Sequence, residues 1–216
     1  MPAPTEADAR ASIVRVMRAM DARGLNRGTS GNVSVRWGEG LLVTPTGVVP
    51  DELNPESVVL IDMQGRAAEG ALKPSSEWRM HAGILARRPD IRAVVHCHAR
   101  YATILACAGR PIPAVHYMVG VSGGSSVPVA PYAPFGSDEL ARVVADTLDG
   151  RHACLMANHG LIAVSTSLGR TLAIAEEIEE QAAVYWGTLA IGGPNLLSEP
   201  QMDDILQRFQ GYGQKR

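Results

Sequence analysis

The segment 74–98 constrains this chain more than any other part of the sequence. It ends in AVVHCH, an apolar run with two histidines that is typical of a buried strand. Side chains two residues apart on a strand share a face, so His96 and His98 can direct both imidazoles to one point while Cys97 faces the opposite side. A helix that carries Glu77 near its beginning is expected before this strand. The segment therefore predicts a pair of histidines on a rigid strand, with a carboxylate nearby.

A third histidine can complete a metal site. His159 follows the apolar sequence CLMAN and precedes Gly160, which would allow another stretch of backbone to approach closely. A His-x-His pair alone is compatible with a structural role, and His159 favours a metal site instead. Three neutral imidazoles suit zinc and leave positions open for a substrate, although they also accept Mn²⁺, Co²⁺ or Fe²⁺. We therefore predict a zinc site at His96, His98 and His159.

The roles of Glu77 and the remaining histidines stay open at this point. Glu77 could be an ordinary first-turn glutamate favoured by the helix dipole, or a base that reaches the metal or the substrate. His81 lies one helical turn further and could orient Glu77, but a packed core histidine is the expected role. His116 and His152 are expected to be structural or surface residues.

Three loops of small residues offer a way to hold phosphate. Each alone would be an ordinary turn, but together they supply backbone N–H groups, hydroxyls and a helix N-terminus, with few positive charges. The loops are Gly28–Asn32, Thr46-Gly47 and Ser75-Ser76.

The whole chain favours one soluble domain, 1–216. Its 216 residues carry a net charge of −2 without a basic stripe, which argues against a nucleic-acid partner. The N-terminus has no secretory pattern, and no apolar run approaches the ~18 residues that span a bilayer, so no membrane association is expected. The 3 cysteines, an odd number in apolar surroundings, suggest reduced thiols and a cytoplasmic location.

The order of elements predicts the fold class. Helices and strands alternate, and short hairpins favour α/β with a mixed, mostly antiparallel central sheet flanked by helices. Strands are expected near 33–37, 41–43, 58–61, 93–98, 127–129, 154–156 and 161–164. Thr5, Ser75 or Ser76, Ser137 and Ser198 are expected as helix N-caps, and a long helix is expected over 167–191.

The sequence resembles the class II, zinc-dependent aldolase family, which also contains L-ribulose-5-phosphate 4-epimerase and the adducin head domain. The L-fuculose-1-phosphate aldolase branch is the most similar in pattern. The segments that carry the resemblance span nearly the whole chain: GLNRGTSGNVSVR, LLVTPTGV, KPSSEWRMH, AVVHCHA, IPAVHYM, APYAPFGS and NHGLIAV.

The resemblance implies a nine-stranded mixed sheet and a C4 homotetramer with active sites between neighbouring subunits. It implies zinc bound by the three histidines, with Glu77 as a fourth ligand that swings away to act as the base. Tyr117 would be the acid, supplied by the adjacent subunit, and Phe135 and Tyr212 would line the aldehyde side. The implied phosphate-binding residues are Gly31, Asn32, Thr46, Gly47, Ser75 and Ser76.

The implied reaction is cleavage of a 2-ketose 1-phosphate, through an enediolate, to dihydroxyacetone phosphate and an aldehyde. A 5-deoxyribulose-1-phosphate or 5-methylthioribulose-1-phosphate aldolase is an alternative. The epimerase branch has an aspartate where this chain has Glu77, which favours an aldolase. The SSEW and HYM segments fit a methylthioribulose-phosphate dehydratase less well. The adducin head, a non-enzymatic module, has lost the zinc ligands, whereas this chain has all three histidines and Glu77.

Overall fold

A single mixed sheet forms the centre of the computed structural model, which describes residues 4–210. The strand order is β3-β2-β1-β4-β7-β6-β5, and every neighbouring pair is antiparallel except β5 and β6. The strands are β1 (Asn32–Trp37), β2 (Gly40–Val43), β3 (Val59–Ile61), β4 (Ala93–Cys97), β5 (Val129–Ala130), β6 (Ala153–Met156) and β7 (Gly160–Ser165).

Helices cover both faces of this sheet. The helices are α1 (Glu6–Ala22), α2 (Trp78–Arg87), α3 (Arg100–Cys107), α4 (Asp138–Thr147), α5 (Leu168–Leu189) and α6 (Glu199–Gln210). One core contains side chains of α1, α3, α5 and α6, and the other contains side chains of α2 and α4. Strand residues alternate between the two cores, as Val94 and Val95 of β4 do. The predicted α/β class with a mixed sheet is confirmed.

Two of the four predicted helix N-caps, Thr5 and Ser137, are confirmed by their capping bonds, and Ser198 directly precedes α6. The Thr5 hydroxyl accepts from the backbone N–H of Asp8 and the Asp8 carboxylate accepts from that of Thr5, a reciprocal capping box. The Ser137 hydroxyl accepts from the N–H of Leu140 in the first turn of α4. These short polar side chains satisfy helix N–H groups that have no partner inside the helix.

The predicted cap at Ser75 or Ser76 is wrong, because α2 begins later, with Glu77 as its N-cap. The cause lies outside the segment. The backbone N–H of Ser75 donates to Thr44 O (2.9 Å), and Pro74 forms a bridge with Pro45. This pairing keeps the chain extended until it has left the edge of the sheet.

The sheet also differs from its prediction in two details. The described residues form seven strands in one sheet rather than nine, and segments such as Ile112 and Val127 pair only as an isolated bridge. The strand expected at 127–129 lies at Val129–Ala130.

Cys97 and Cys154 are buried as expected, but Cys107 is exposed. Within residues 4–210, no helix is both long and apolar enough to cross a membrane.

Candidate metal centre and substrate cavity

Three imidazoles converge at the ends of neighbouring strands. His96 lies in β4, His98 follows directly after it, and His159 lies in the turn between β6 and β7. The Nε2 atoms of His96 and His98 are 3.0 Å apart, and one ligand atom from each of the three residues lies within 4.8 Å of the others. The three side chains are thus close enough to bind one metal ion together.

The glycine after His159 makes this convergence possible. A Cβ on Gly160 would lie 2.5 Å from the backbone oxygen of Cys97, closer than real Cβ atoms approach. Because Gly160 has no side chain, β7 pairs with the end of β4, where Cys97 opposes Leu161. The turn that carries His159 is therefore drawn next to the other two histidines.

The histidine rings direct their Nε2 atoms to the centre of the cluster. The Nδ1 of His96 lies 3.0 Å from the backbone oxygen of Leu161, a geometry that requires hydrogen on Nδ1 and fixes the orientation of the ring. Burial lowers the pKa of both His98 and His159 to about 4, so both are neutral near pH 7. Neutral, oriented imidazoles are the form that binds zinc, so the donor set fits such an ion.

Glu77 lies against the same cluster and is almost completely buried. Its Oε2 is 3.2 Å from His96 Nε2 and its Oε1 is 3.3 Å from His159 Nε2, while Asn32 Nδ2 donates to Oε2 over 2.9 Å. Burial raises the pKa of Glu77, but His96, Asn32 and His159 lower it further, and the net pKa lies well below its usual range. An ionised carboxylate thus stands beside the predicted metal ligands.

A cavity of about 360 Å³ opens next to Glu77, His98 and His159. The sequences predicted to hold phosphate all contribute to its wall: Gly31, Asn32, Thr46, Gly47, Ser75 and Ser76. Ser75 and Ser76 directly precede Glu77, the N-cap of α2, so the beginning of this helix faces the cavity beside their hydroxyl groups. The cavity therefore combines hydroxyl groups and a helix N-terminus with the histidine cluster.

A buried asparagine connects the two ends of this cavity. Asn26 Oδ1 accepts from the backbone N–H of His98 (3.1 Å), and a Cβ on Gly31 would lie 2.2 Å from the amide nitrogen of Asn26. Gly31 also has φ of 77°, a backbone conformation that a side chain would strain. The position therefore requires glycine, and the first small-residue loop packs directly on the residue that holds His98.

The predicted acid, Tyr117, and the predicted aldehyde-side residues, Phe135 and Tyr212, have three different placements. Phe135 lines the cavity and is 72% exposed. Tyr117 begins a short 3-10 helix, stacks on His116 with ring centroids 4.5 Å apart, and is absent from the cavity wall formed by residues 4–210. Tyr212 lies outside the described residues. Within residues 4–210, Phe135 is therefore the one predicted residue of this group that lines the cavity.

Sequence reasoning missed several residues in or behind this cavity. Thr29, Ser30, Tyr132 and Asn158 also line it. The first two lie inside a loop already singled out, and Tyr132 lies within APYAPFGS, so the neighbouring motifs carried a signal for them. Asn158 has a positive φ of 55°, which is uncommon outside glycine and cannot be read from spacing.

Comparisons with known proteins agree with this geometry. The family model described as "Class II Aldolase and Adducin N-terminal domain" matches residues 11–186. A 5-methylthioribulose-1-phosphate/5-deoxyribulose-1-phosphate aldolase of Rhodospirillum rubrum is 47% identical, over 94% of this chain and 92% of its own. An L-fuculose phosphate aldolase of Escherichia coli K12 is 46% identical, over 93% of this chain and 94% of its own.

A solved structure named L-fuculose 1-phosphate aldolase superposes with a TM-score of 0.91 at 36% identity, covering 94% of this chain and 96% of that one. The chain therefore belongs to the class II aldolase and adducin N-terminal domain family, and the predicted aldehyde-lyase is confirmed.

Proposed function

We propose that this protein is a zinc-dependent aldolase that cleaves a 2-ketose 1-phosphate to dihydroxyacetone phosphate and an aldehyde. One observation carries the proposal: a single cavity joins the histidine cluster and a buried carboxylate to a wall of small polar residues. Such a site can bind a metal ion and a phosphate group side by side. A cavity of about 360 Å³ suits a small phosphorylated sugar rather than a polymer.

The phosphate would be held without a cationic side chain. Backbone N–H groups at Gly31 and Gly47, hydroxyls of Thr46, Ser75 and Ser76, and the N-terminus of α2 would donate to its oxygens. The amide of Asn32 has a second hydrogen beyond the one donated to Glu77 and can reach into the same cavity. This arrangement favours a dianionic group at one end of the substrate.

The metal would be held by His96, His98 and His159, with Glu77 as a fourth ligand before substrate binds. A zinc ion there supplies Lewis-acid polarisation of the substrate carbonyl. The histidines contribute by fixing the ion at the end of β4, where the substrate phosphate sets the position of the carbonyl. Mn²⁺, Co²⁺ or Fe²⁺ could occupy the same donors.

Glu77 and Tyr117 would divide the proton transfers. In the synthetic direction, the Glu77 carboxylate would take a proton from the carbon of dihydroxyacetone phosphate that becomes bonded, and the electron pair left on that carbon would attack the aldehyde carbonyl. Tyr117 of the adjacent subunit would donate its hydroxyl proton to the aldehyde oxygen as the carbon–carbon bond forms. Proton exchange with solvent would restore both side chains, and cleavage is the reverse of these steps. Each positioned transfer contributes about 10²–10⁴ in rate.

The aldehyde half of the substrate has three candidates. L-fuculose 1-phosphate is the first, and 5-deoxyribulose 1-phosphate and 5-methylthioribulose 1-phosphate are the alternatives. The Escherichia coli relative is named for the first sugar and the Rhodospirillum rubrum relative for the other two, at nearly equal identity. Their difference lies at the aldehyde end, where hydrophobic pockets discriminate by only about 1–3 kcal/mol.

The assembly and setting belong to the same proposal. The protein would be a cytoplasmic homotetramer of one domain, 1–216, with active sites between subunits and without nucleic-acid or membrane partners. The placement of Tyr117 away from the cavity of its own chain supports a site that needs a neighbour. Tyr212 would complete the aldehyde side.

Release of dihydroxyacetone phosphate tests the proposal. The zinc-loaded protein is incubated separately with the three ketose 1-phosphates, and the product is measured with a coupled reductase. We expect release from at least one sugar, loss of release with a chelator, and recovery when zinc is restored. No release from any of the three sugars with zinc bound would overturn the proposed aldolase activity. If release is observed, the ranking of kcat/KM would identify the substrate.

A further inference from the structure

A chain of buried hydrogen bonds leads away from Glu77 into the protein. Asn32 Nδ2 donates to Glu77 Oε2 (2.9 Å), Asn32 Oδ1 lies 2.5 Å from His81 Nε2, and His81 Nδ1 lies 2.7 Å from Ser34 Oγ. Each of these four residues is at most 6% exposed. Burial makes the chain costly to break, because a polar atom left without a partner there loses its solvation without compensation.

The Asn32 amide fixes the direction of every bond in this chain. Its Nδ2 donates to Glu77 Oε2, so its Oδ1 faces His81 and can only accept. His81 Nε2 must then carry the hydrogen, and Nδ1 must accept from the Ser34 hydroxyl. This tautomer is neutral, and burial lowers the pKa of His81 to about 3, which keeps the imidazole neutral at physiological pH.

Strand β1 and helix α2 are placed so that this chain of hydrogen bonds can form. Asn32 and Ser34 are two residues apart on β1 and share a face, while Glu77 and His81 are four apart at the start of α2 and also share a face. The two faces meet, so that one pair of residues lies against the other. His81 therefore packs in the core as expected, but it does so within hydrogen-bonding distance of the residue that holds the base.

We propose that His81 is a positioning residue that acts through Asn32 to hold the Glu77 carboxylate in the orientation required for proton transfer. The inference rests on the proposed function, since it assigns Glu77 the role of base. Without the His81 N–H, the Asn32 amide can rotate, and its oxygen would then repel the carboxylate that it now supports. The partners that orient a catalytic or metal-binding group typically influence activity about 10–100-fold.

The tautomer of His81 gives a test that does not depend on turnover. Long-range proton–nitrogen NMR spectra of the zinc-loaded protein, labelled with ¹⁵N-histidine and assigned by loss of signals in His81→Gln, report which ring nitrogen carries hydrogen. We expect Nε2–H with an unprotonated Nδ1, unchanged across neutral pH. An Nδ1–H tautomer or an imidazolium would overturn the proposed bond chain, whatever the enzyme's activity.

Matched variants test the consequence for catalysis. His81→Leu removes the donor, His81→Gln offers an amide N–H in its place, and Ser34→Ala removes the far end of the chain. His152→Leu is the control for the loss of a half-buried histidine, and Ser122→Ala is the control for the loss of a fully buried serine hydroxyl. For each variant, zinc content, thermal unfolding, kcat and KM are measured.

We expect His81→Leu to lower kcat about 10–100-fold with little change in KM or zinc content. His81→Gln should recover part of that loss, and Ser34→Ala should show a smaller one. If His81→Leu does not fold, His81→Gln and Ser34→Ala decide the question. Unchanged kcat in the variants that fold, or an equal loss in the control variants, would overturn the inference. Inactivity of the wild type with the expected tautomer would overturn the proposed function instead.

Discussion

The end of the cavity next to the histidine cluster, proposed as the metal end, and the end proposed to receive the aldehyde differ in how much of the site a single chain supplies. At the metal end, Glu77 and His96 are 6% and 0% exposed, and each is held by bonds to neighbouring elements. At the aldehyde end, Phe135 and Tyr132 are 72% and 65% exposed. The side chains at the metal end are therefore buried and hydrogen-bonded within one chain, whereas those at the aldehyde end are largely exposed.

This difference indicates which part of the substrate the protein specifies most strongly. Buried, oriented polar groups discriminate by large factors, because a substrate that leaves them unpaired loses their bonds. Exposed aromatic side chains discriminate weakly. The phosphate and carbonyl of the substrate should therefore be required, while the aldehyde half should be tolerated more broadly.

The largest expected effect is at the metal end of the cavity. His98→Ala should prevent zinc binding and reduce kcat by on the order of 10⁴ or more, because the metal contributes several kcal/mol and each 1.36 kcal/mol is tenfold. Metal analysis after dialysis and coupled kinetics measure both quantities. His152→Ala, outside the cluster, should retain zinc and activity. Full zinc occupancy in His98→Ala would contradict the assigned ligand set.

A second variant separates the base from the metal. Glu77→Gln keeps the size of the side chain but removes its ability to take and deliver a proton. We expect retained zinc and a fall in kcat of about 10²–10⁴. Glu176→Gln, which changes a partly exposed glutamate paired with Arg23, should behave as wild type. Undiminished turnover of Glu77→Gln would exclude Glu77 as the base.

The same comparison explains what the sequence could and could not predict. His96 and His98 share a strand face by local periodicity, and Gly160 signals close packing, so their convergence could be anticipated. The start of α2 could not, because pairing of Ser75 with Thr44 is a contact across the sheet. The hydrogen bond between His81 and Asn32 also joins segments that are distant in the sequence, so it can be recognised only when the packing of α2 against β1 is known.

The third prediction concerns the aldehyde end of the cavity and the neighbouring subunit. Tyr117→Phe should reduce kcat by about 10²–10³ with zinc retained, the usual range for a lost proton donor. Tyr185→Phe, a tyrosine packed against the core, serves as control. If Tyr117 acts across an interface, refolding Tyr117→Phe together with His98→Ala should restore activity, because some sites would then combine an intact metal centre with an intact tyrosine. Failure of mixed tetramers to recover activity would contradict a role between subunits.

The smallest expected effect is at Phe135, where the comparison can be made quantitative. Phe135→Ala removes a mostly exposed aromatic ring, so it should change kcat little and raise KM by about tenfold or less, within the range of a weak hydrophobic contact. The change should be larger for 5-methylthioribulose 1-phosphate than for 5-deoxyribulose 1-phosphate, since the methylthio group adds apolar surface that the ring can cover. Steady-state kinetics on both sugars measure this ratio, with Tyr132→Ala as a second variant of the same end. Equal effects on both sugars would place the aldehyde away from Phe135, whereas a large loss of kcat would mean that the aldehyde end takes part in the chemical step and that the two ends are less separate than their burial indicates.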